Sequence, residues 1–268
     1  MKLTTRLKKN LKGVYTVWYR DVLRYIRDKS RIIGSLGQPL LFLFIFGTGL
    51  SPIMSTLGGG DLDFRIFVFP GILSMSVMFT ALFSAISIVW DREFGFLKEV
   101  MVAPVSRIAV VLGKVAGGST VALLQGSLVL LLSPILGISL TFGQVVSLLG
   151  LMLLLAAMIT AMGILIASRQ KSMEGFQMIM NFIMLPLFFL SGALFPLRNT
   201  PTWMRIISTI DPITYGVDPL RAVTLKNTAS EAALENLTRH TVGFNVLIMA
   251  GIFILFIIPA AWLFSRRE

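Results

Sequence analysis

Trp90 to Arg107 reads WDREFGFLKEVMVAPVSR, a charged segment held between two long apolar runs. It is too polar to cross a bilayer and too short to fold alone. Acidic Asp91, Glu93 and Glu99, basic Arg92, Lys98 and Arg107, and apolar Phe94, Leu97 and Met101 recur at helical spacing. The segment can therefore form a short amphipathic helix lying along a membrane face. A solvated loop between two membrane helices is the plainer alternative. Pro104 stops such a helix, because proline lacks the amide proton and disfavours helical geometry in the residue before it.

The runs on either side set the class of the molecule. Of 268 residues, 55% are hydrophobic and 14% charged, against about 25% charged in a typical soluble domain. Runs of about 20 apolar residues, each long enough for a hydrocarbon core about 30 Å thick, imply an integral membrane protein. The pattern predicts an all-α fold with six spans, at about 32–53, 66–90, 108–138, 145–167, 176–197 and 242–264. Gly113 and Gly117, and Ala157 and Ala161, stand four apart and predict close helix packing. Lys114 is expected to snorkel its stem toward the surface. Asn181, costly in lipid, is expected to face another helix or a cavity.

Residues 1–31 carry ten basic residues and only Asp21 and Asp28 as acids. Leu11, Tyr15, Trp18, Val22 and Tyr25 recur at steps of four and three, and Arg20, Arg24, Arg27 and Arg31 repeat those steps on another face. That is an interfacial helix with aromatics at headgroup depth and arginines meeting anionic phosphates. The apolar run starts late, at Ile32, without a small-residue cleavage site, so a removed signal peptide is not expected. Residues 198–240 hold apolar pieces too short to span, broken by Pro201, Pro212 and Pro219. They predict either a re-entrant hairpin or an external cap.

Charge placement orients the model. With both termini cytoplasmic, the internal segments, including the tail 265–268, hold 18 Lys and Arg against 7 acids, and the external ones 6 against 6. This positive-inside pattern places a multi-pass protein in the cell's inner (plasma) membrane with both ends inside. The +11 net charge then belongs to the membrane surface and not to a nucleic-acid partner. Trp18, Trp90, Trp203 and Trp262 all fall at expected interfaces.

Little conventional chemistry is encoded. Cysteine is absent, which excludes disulfide and thiolate chemistry. There is no HExxH, and the one histidine, His240, reads as an ordinary exposed residue. The fragment LGKVAGGST around Lys114 lacks the glycine pattern and the following Ser or Thr of a phosphate loop. No metal or cofactor is expected in this chain. Few ionisable residues fall mid-span, which argues against a carboxylate-driven antiporter. The pattern fits a transport pore driven by a separate ATPase.

Two regions carry a family resemblance: FPGILSMSVMFTALFSAISIVWDREFGFLKEVMVAPVSRIAVVLGK, Phe69 to Lys114, and LSGALFPLRNTPTWMRIISTIDPITYGVDPLR, Leu190 to Arg221. With them the chain resembles the permease subunits of type-two ABC exporters, the group that includes daunorubicin-resistance, nodulation-factor and polysaccharide exporters. Thr200 departs from the small or aliphatic residue usual there. The resemblance implies that 91–104 is a coupling helix, with Glu93, Gly95, Phe96 and Glu99 seated in a groove of an ATP-binding subunit. It implies that Trp18, Arg20, Arg24 and Arg27 belong to an interface helix, and Pro201, Pro212, Tyr215 and Arg221 to an external gate. The working unit would be two copies of the chain with two ABC ATP-binding subunits, ATP and Mg residing on the latter. The substrate would be a drug or lipid-like amphiphile, or alternatively a lipid-linked polysaccharide or lipo-oligosaccharide. Two further readings stand beside this one. One is a stand-alone secondary transporter. The other is a membrane-embedded lipid enzyme using Asp211, Asp218 and Arg221.

Overall fold

The computed structural model describes residues 2–47, 49, 64–93, 105–170, 172–197 and 200–266. All regular structure among them is helical. We label the helices α1 (Lys2–Arg27), α2 (Lys29–Leu41), α3 (Phe64–Glu93), α4 (Arg107–Leu130), α5 (Phe142–Ala167) and α6 (Met173–Leu190). They are followed by α7 (Thr202–Ile210), α8 (Thr214–Leu225), α9 (Glu231–Leu237) and α10 (Val242–Arg266).

The caps follow from local chemistry. Ser106 accepts from the Ala109 amide to start α4, Ser172 from Gly175 to start α6, and Thr141 and Gln144 form a reciprocal capping box ahead of α5. Pro39 lies inside α2, and the chain passes at once into a π-helical turn, Phe42–Phe46. Loss of an amide donor is a recognised cause of such local widening. Gly137 and Gly192, at φ 74° and 78°, occupy the left-handed region that a side chain disfavours.

α3 is apolar on every side, the pattern of a helix enclosed by others. Val68, Phe69, Ile72, Leu73 and Val77 are fully buried. Around it α4 and α5 pack against α3 and each other, and α10 lies along α5 and also touches α4. α8 enters the space bounded by α3, α5 and α10, and Thr214 to Arg221 are buried throughout. α6 packs chiefly on α3 and leaves Met178, Asn181, Phe182, Leu185 and Phe189 exposed along one side.

Among the described residues, five helical stretches are long and apolar enough to cross a membrane: Phe64–Asp91, Arg107–Leu136, Phe142–Ala167, Met173–Leu190 and Ala233–Phe264. They correspond to the second to sixth expected spans. The first, 32–53, is represented by α2, the π-helical turn and Gly47; most of its remainder lies outside the described residues. The fifth ends at Leu190 and not at 197, because the left-handed Gly192 turns the chain out of the helix.

Candidate functional site

The site begins with two absent side chains. α1 lies along α4, and a Cβ at Gly113 would stand 2.8 Å from Cβ of Val17 and 2.9 Å from the Val14 carbonyl oxygen. One at Gly117 would stand 3.0 Å from Cβ of Asp21. The glycine pair therefore has the packing role expected of it, and the near contact it permits brings together four charges from three helices.

Lys114 of α4 places Nζ 2.8 Å from Oδ2 of Asp91 in α3 and 3.4 Å from Oδ2 of Asp21 in α1. It also donates to Ser87 Oγ at 2.9 Å. Arg20 of α1 reaches the same Asp91 oxygen at 2.9 Å and lies 3.3 Å from Asp21. Two cations and two carboxylates thus neutralise one another in a largely buried cluster. This corrects two expectations. Lys114 does not snorkel; it is only 4% exposed and is held by carboxylates. Asp91 is not on the solvated face of an amphipathic loop helix but in the last turn of α3, buried against both cations. Removing an ammonium from water costs several kcal/mol, and paired carboxylates offset that cost where the stem cannot reach a surface.

The aromatic stripe of α1 is likewise divided. Trp18 donates from Nε1 to Thr120 Oγ1 at 3.0 Å, and Tyr25 is buried with its hydroxyl bonded to Gln125. Leu11 and Tyr15 remain exposed. Trp18 and Tyr25 thus fasten α1 to α4, because the glycine face lets α4 approach that side. Arg24 lies over the Trp90 ring, 4.7 Å from its centroid, and Arg27 is exposed. On the far side of the charged segment, Asn10 of α1 accepts from the Ser106 amide at 3.0 Å. α1 therefore holds the chain at Asp91 before residues 94–104 and at Ser106 after them. Glu93 is exposed at the end of α3; Gly95, Phe96 and Glu99 lie outside the described residues.

The other expected cluster gathers around α8. Arg221 is buried and donates to the carbonyl oxygens of Gly192 and Ala193 at 2.8 and 3.1 Å, with its guanidinium 4.4 Å from the centroid of the Phe67 ring. Gly71 of α3 meets the same turn, where a Cβ would stand 2.2 Å from the Ala193 oxygen. Tyr215 donates to the Thr209 carbonyl at 2.7 Å and stacks on His240. Pro201 precedes α7 and Pro212 lies in the α7–α8 link. His240 is not the exposed residue expected; it is half-buried between Tyr215 and Phe244.

Asp218, singled out only for an enzyme, is a junction. It accepts from the amides of Arg239 and His240 at 2.9 and 3.0 Å and from Asn245 Nδ2 at 2.9 Å. Asp211 caps the Ile213 amide at 2.8 Å, and burial pushes its carboxyl up to about 8. With Arg221 on carbonyls, Asp218 saturated by three donors and Asp211 capping a turn, these residues hold helices together. The lipid-enzyme reading has no support in their geometry.

The described helices thus define a multi-pass membrane protein whose buried charges join helices to one another. The chain belongs to the ABC-2 type transporter family, whose model matches residues 12–225. It is 32% identical over 213 residues to the transport permease ycf38 of Cyanophora paradoxa, covering 79% of this chain and 73% of that one. It is 27% identical over 217 residues to nodulation protein J of Rhizobium leguminosarum bv. trifolii, covering 78% and 80% of the two chains. Permeases of this family typically work with an ATP-binding subunit.

Proposed function

We propose that this chain is the membrane-spanning permease subunit of an ATP-driven exporter. Two copies form the path, and two ATP-binding subunits carry ATP and Mg. The observation that carries the reading is the grip of α1 on both flanks of residues 94–104, through Arg20 and Asp91 on one side and Asn10 and Ser106 on the other. A segment so bracketed can transmit a push from outside the membrane to α3 and α4 together. Glu93, Gly95, Phe96 and Glu99 then meet the ATP-binding subunit, and Trp18, Arg20, Arg24 and Arg27 stiffen the lever. ATP binding biases the pair between two membrane states by its differential affinity for them.

The chain takes six spans in the plasma membrane with both termini cytoplasmic, as its charge distribution favours. α7 and α8 form a re-entrant external hairpin closing the path, with Pro201, Pro212, Tyr215 and Arg221 fixing its shape. Burial of α8 among α3, α5 and α10 supports this. The second copy covers α6, where exposed Asn181 shares a side with Met178, Phe182, Leu185 and Phe189. A lone amide facing lipid is costly, and a partner helix relieves that cost. The cargo is an amphiphile; a lipid-linked glycan is the alternative, and nodulation protein J among the relatives is compatible with it.

A mild-detergent pull-down of the tagged chain, with an ATPase assay on what accompanies it, tests this. A stoichiometric ATP-binding subunit supports the exporter. Its absence, with the chain alone moving solute in liposomes, would establish a secondary transporter instead. Within the complex, Glu93→Gln with Glu99→Gln is expected to leave the chain inserted but separate ATP hydrolysis from transport.

A further inference from the structure

Two adjoining cavities of 350 and 330 Å³ open between the N-terminal helices and α3, and they share Tyr25, Arg31 and Phe83. The outer one is the more polar of the two, with Arg24, Arg31 and Trp90 in its wall; the inner one, which Arg31 also lines, runs between Pro39 of α2 and Met75 and Phe79 of α3. From Trp90 to Met75 the lining follows α3 for about 22 Å at about 1.5 Å per residue. That is the depth of about one leaflet with its headgroup region. The cleft is therefore graded as an amphiphile is graded, cationic toward Arg24 and Arg31 and less polar beyond, where Ser35, Gln38 and Thr80 share the wall with Pro39, Met75 and Phe79.

Its electrostatics select the sign of the headgroup. Asp21 is held by Arg20 and Lys114, and Asp28 caps α2 by accepting from the Arg31 amide. Arg24 and Arg31 have no carboxylate partner among the described residues; each guanidinium lies over a ring, Trp90 for Arg24 and Tyr25 for Arg31. A second observation points to a ligand. Ser76 lines the inner cavity, is only 3% exposed, and its hydroxyl has no hydrogen-bond partner. A buried hydroxyl is ordinarily satisfied, and turning this side chain toward the cavity it lines would offer it an ester or hydroxyl oxygen of a ligand.

We propose that this cleft holds one anionic phospholipid from the leaflet on the α1 side. The phosphate is clamped by Arg24 and Arg31, and one acyl chain lies between α2 and α3.

The test uses the full chain in nanodiscs of phosphatidylcholine doped with phosphatidic acid that carries a photoactivatable acyl chain. Labelling is expected within residues 75–83. Unlabelled phosphatidylglycerol should compete about ten-fold or more better than added phosphatidylcholine, and Arg24→Gln with Arg31→Gln should reduce labelling by a similar factor. Gly34→Leu provides the second variant. Gly34 lines the inner cavity, and a Cβ there meets nothing within 4 Å, so the backbone accepts a larger side chain at the cleft while both arginines are left in place. It should abolish labelling in a chain that still inserts. Equal competition by phosphatidylcholine, complete displacement by inorganic phosphate, or unchanged labelling in both variants would each overturn the proposal.

Discussion

Lys114 and Asp91 meet at 2.8 Å, the one from the second turn of α4 and the other from the last turn of α3. Each also contacts α1, so a single ion pair locks three helices. Breaking such a pair on one side leaves an uncompensated buried charge, at a cost of about 3–5 kcal/mol. Lys114→Met is therefore expected to lower the thermal midpoint markedly and to expose α1 to limited proteolysis. Lys114→Met combined with Asp91→Asn leaves Arg20 paired with Asp21 and should recover much of the loss. A double variant as unstable as the single one would show that charge compensation is not what holds the cluster.

Gly113→Val is expected to dislodge α1 without touching a charge. Its Cβ would meet the Val14 carbonyl, a backbone atom that cannot rotate away. Separating α1 from α4 would break the hydrogen bond from Trp18 to Thr120. The check is tryptophan emission and cysteine accessibility at position 18; unchanged accessibility would contradict the close packing.

Arg221→Met should destabilise the junction between α8 and the turn after α6. The carbonyls of Gly192 and Ala193 would lose their donor in a buried place, at about 1–3 kcal/mol for each group left unsatisfied. Arg221→Lys is expected to restore only part of this, since an ammonium does not reproduce the guanidinium fork. Thermal unfolding of the three proteins orders them.

Asp211 should make stability fall as pH rises. Its carboxyl is raised from an ordinary 3.8 to about 8, so the folded state binds the proton more tightly than the unfolded chain. Its stabilising contribution is complete below about pH 4 and is lost progressively up to about pH 8, at no more than about 1.4 kcal/mol per pH unit. Asp211→Asn removes this contribution to the slope. The variant is expected to gain on the parent protein between pH 5 and pH 8, read from thermal midpoints at each pH. A constant difference across that range would refute the shift.

Cysteines at Phe182 are expected to crosslink two copies in membranes, since that exposed side of α6 carries Asn181. Crosslinks absent at Phe182 yet present on the opposite, α3-facing side would reject the assigned pairing face.

Much of this fold could be read directly from the amino acids. Apolar runs mark α3, α5 and α10 to within a few residues, and the start but not the end of α4, because a bilayer demands length and composition that few other structures share. The glycine pair on α4 was legible as a packing surface, but its partner was not, since four-residue spacing names a face and not what covers it. Lys114 was misread for the same reason. An isolated lysine near a helix end looks like a snorkelling residue unless its distant partners are known, and Asp21 and Asp91 carry no local mark of convergence. Asp218 was noticed for its charge, while its three donors follow the chain by more than twenty residues. His240 was misjudged because stacking on Tyr215 depends on how α8 turns back toward α10.

The same cluster constrains the order in which the protein can be built. Asp21 leaves the ribosome well ahead of Lys114, 93 residues later in the chain. Until then α1 emerges with an uncovered face and with Asp21 paired only to its neighbour Arg20. Asp91 and Lys114 reach it together only if α3 and α4 have inserted in opposite directions, so a wrongly inserted hairpin leaves its charges stranded. Closure of the four-charge cluster is thus a built-in check on membrane insertion that needs no residue from the second half of the chain.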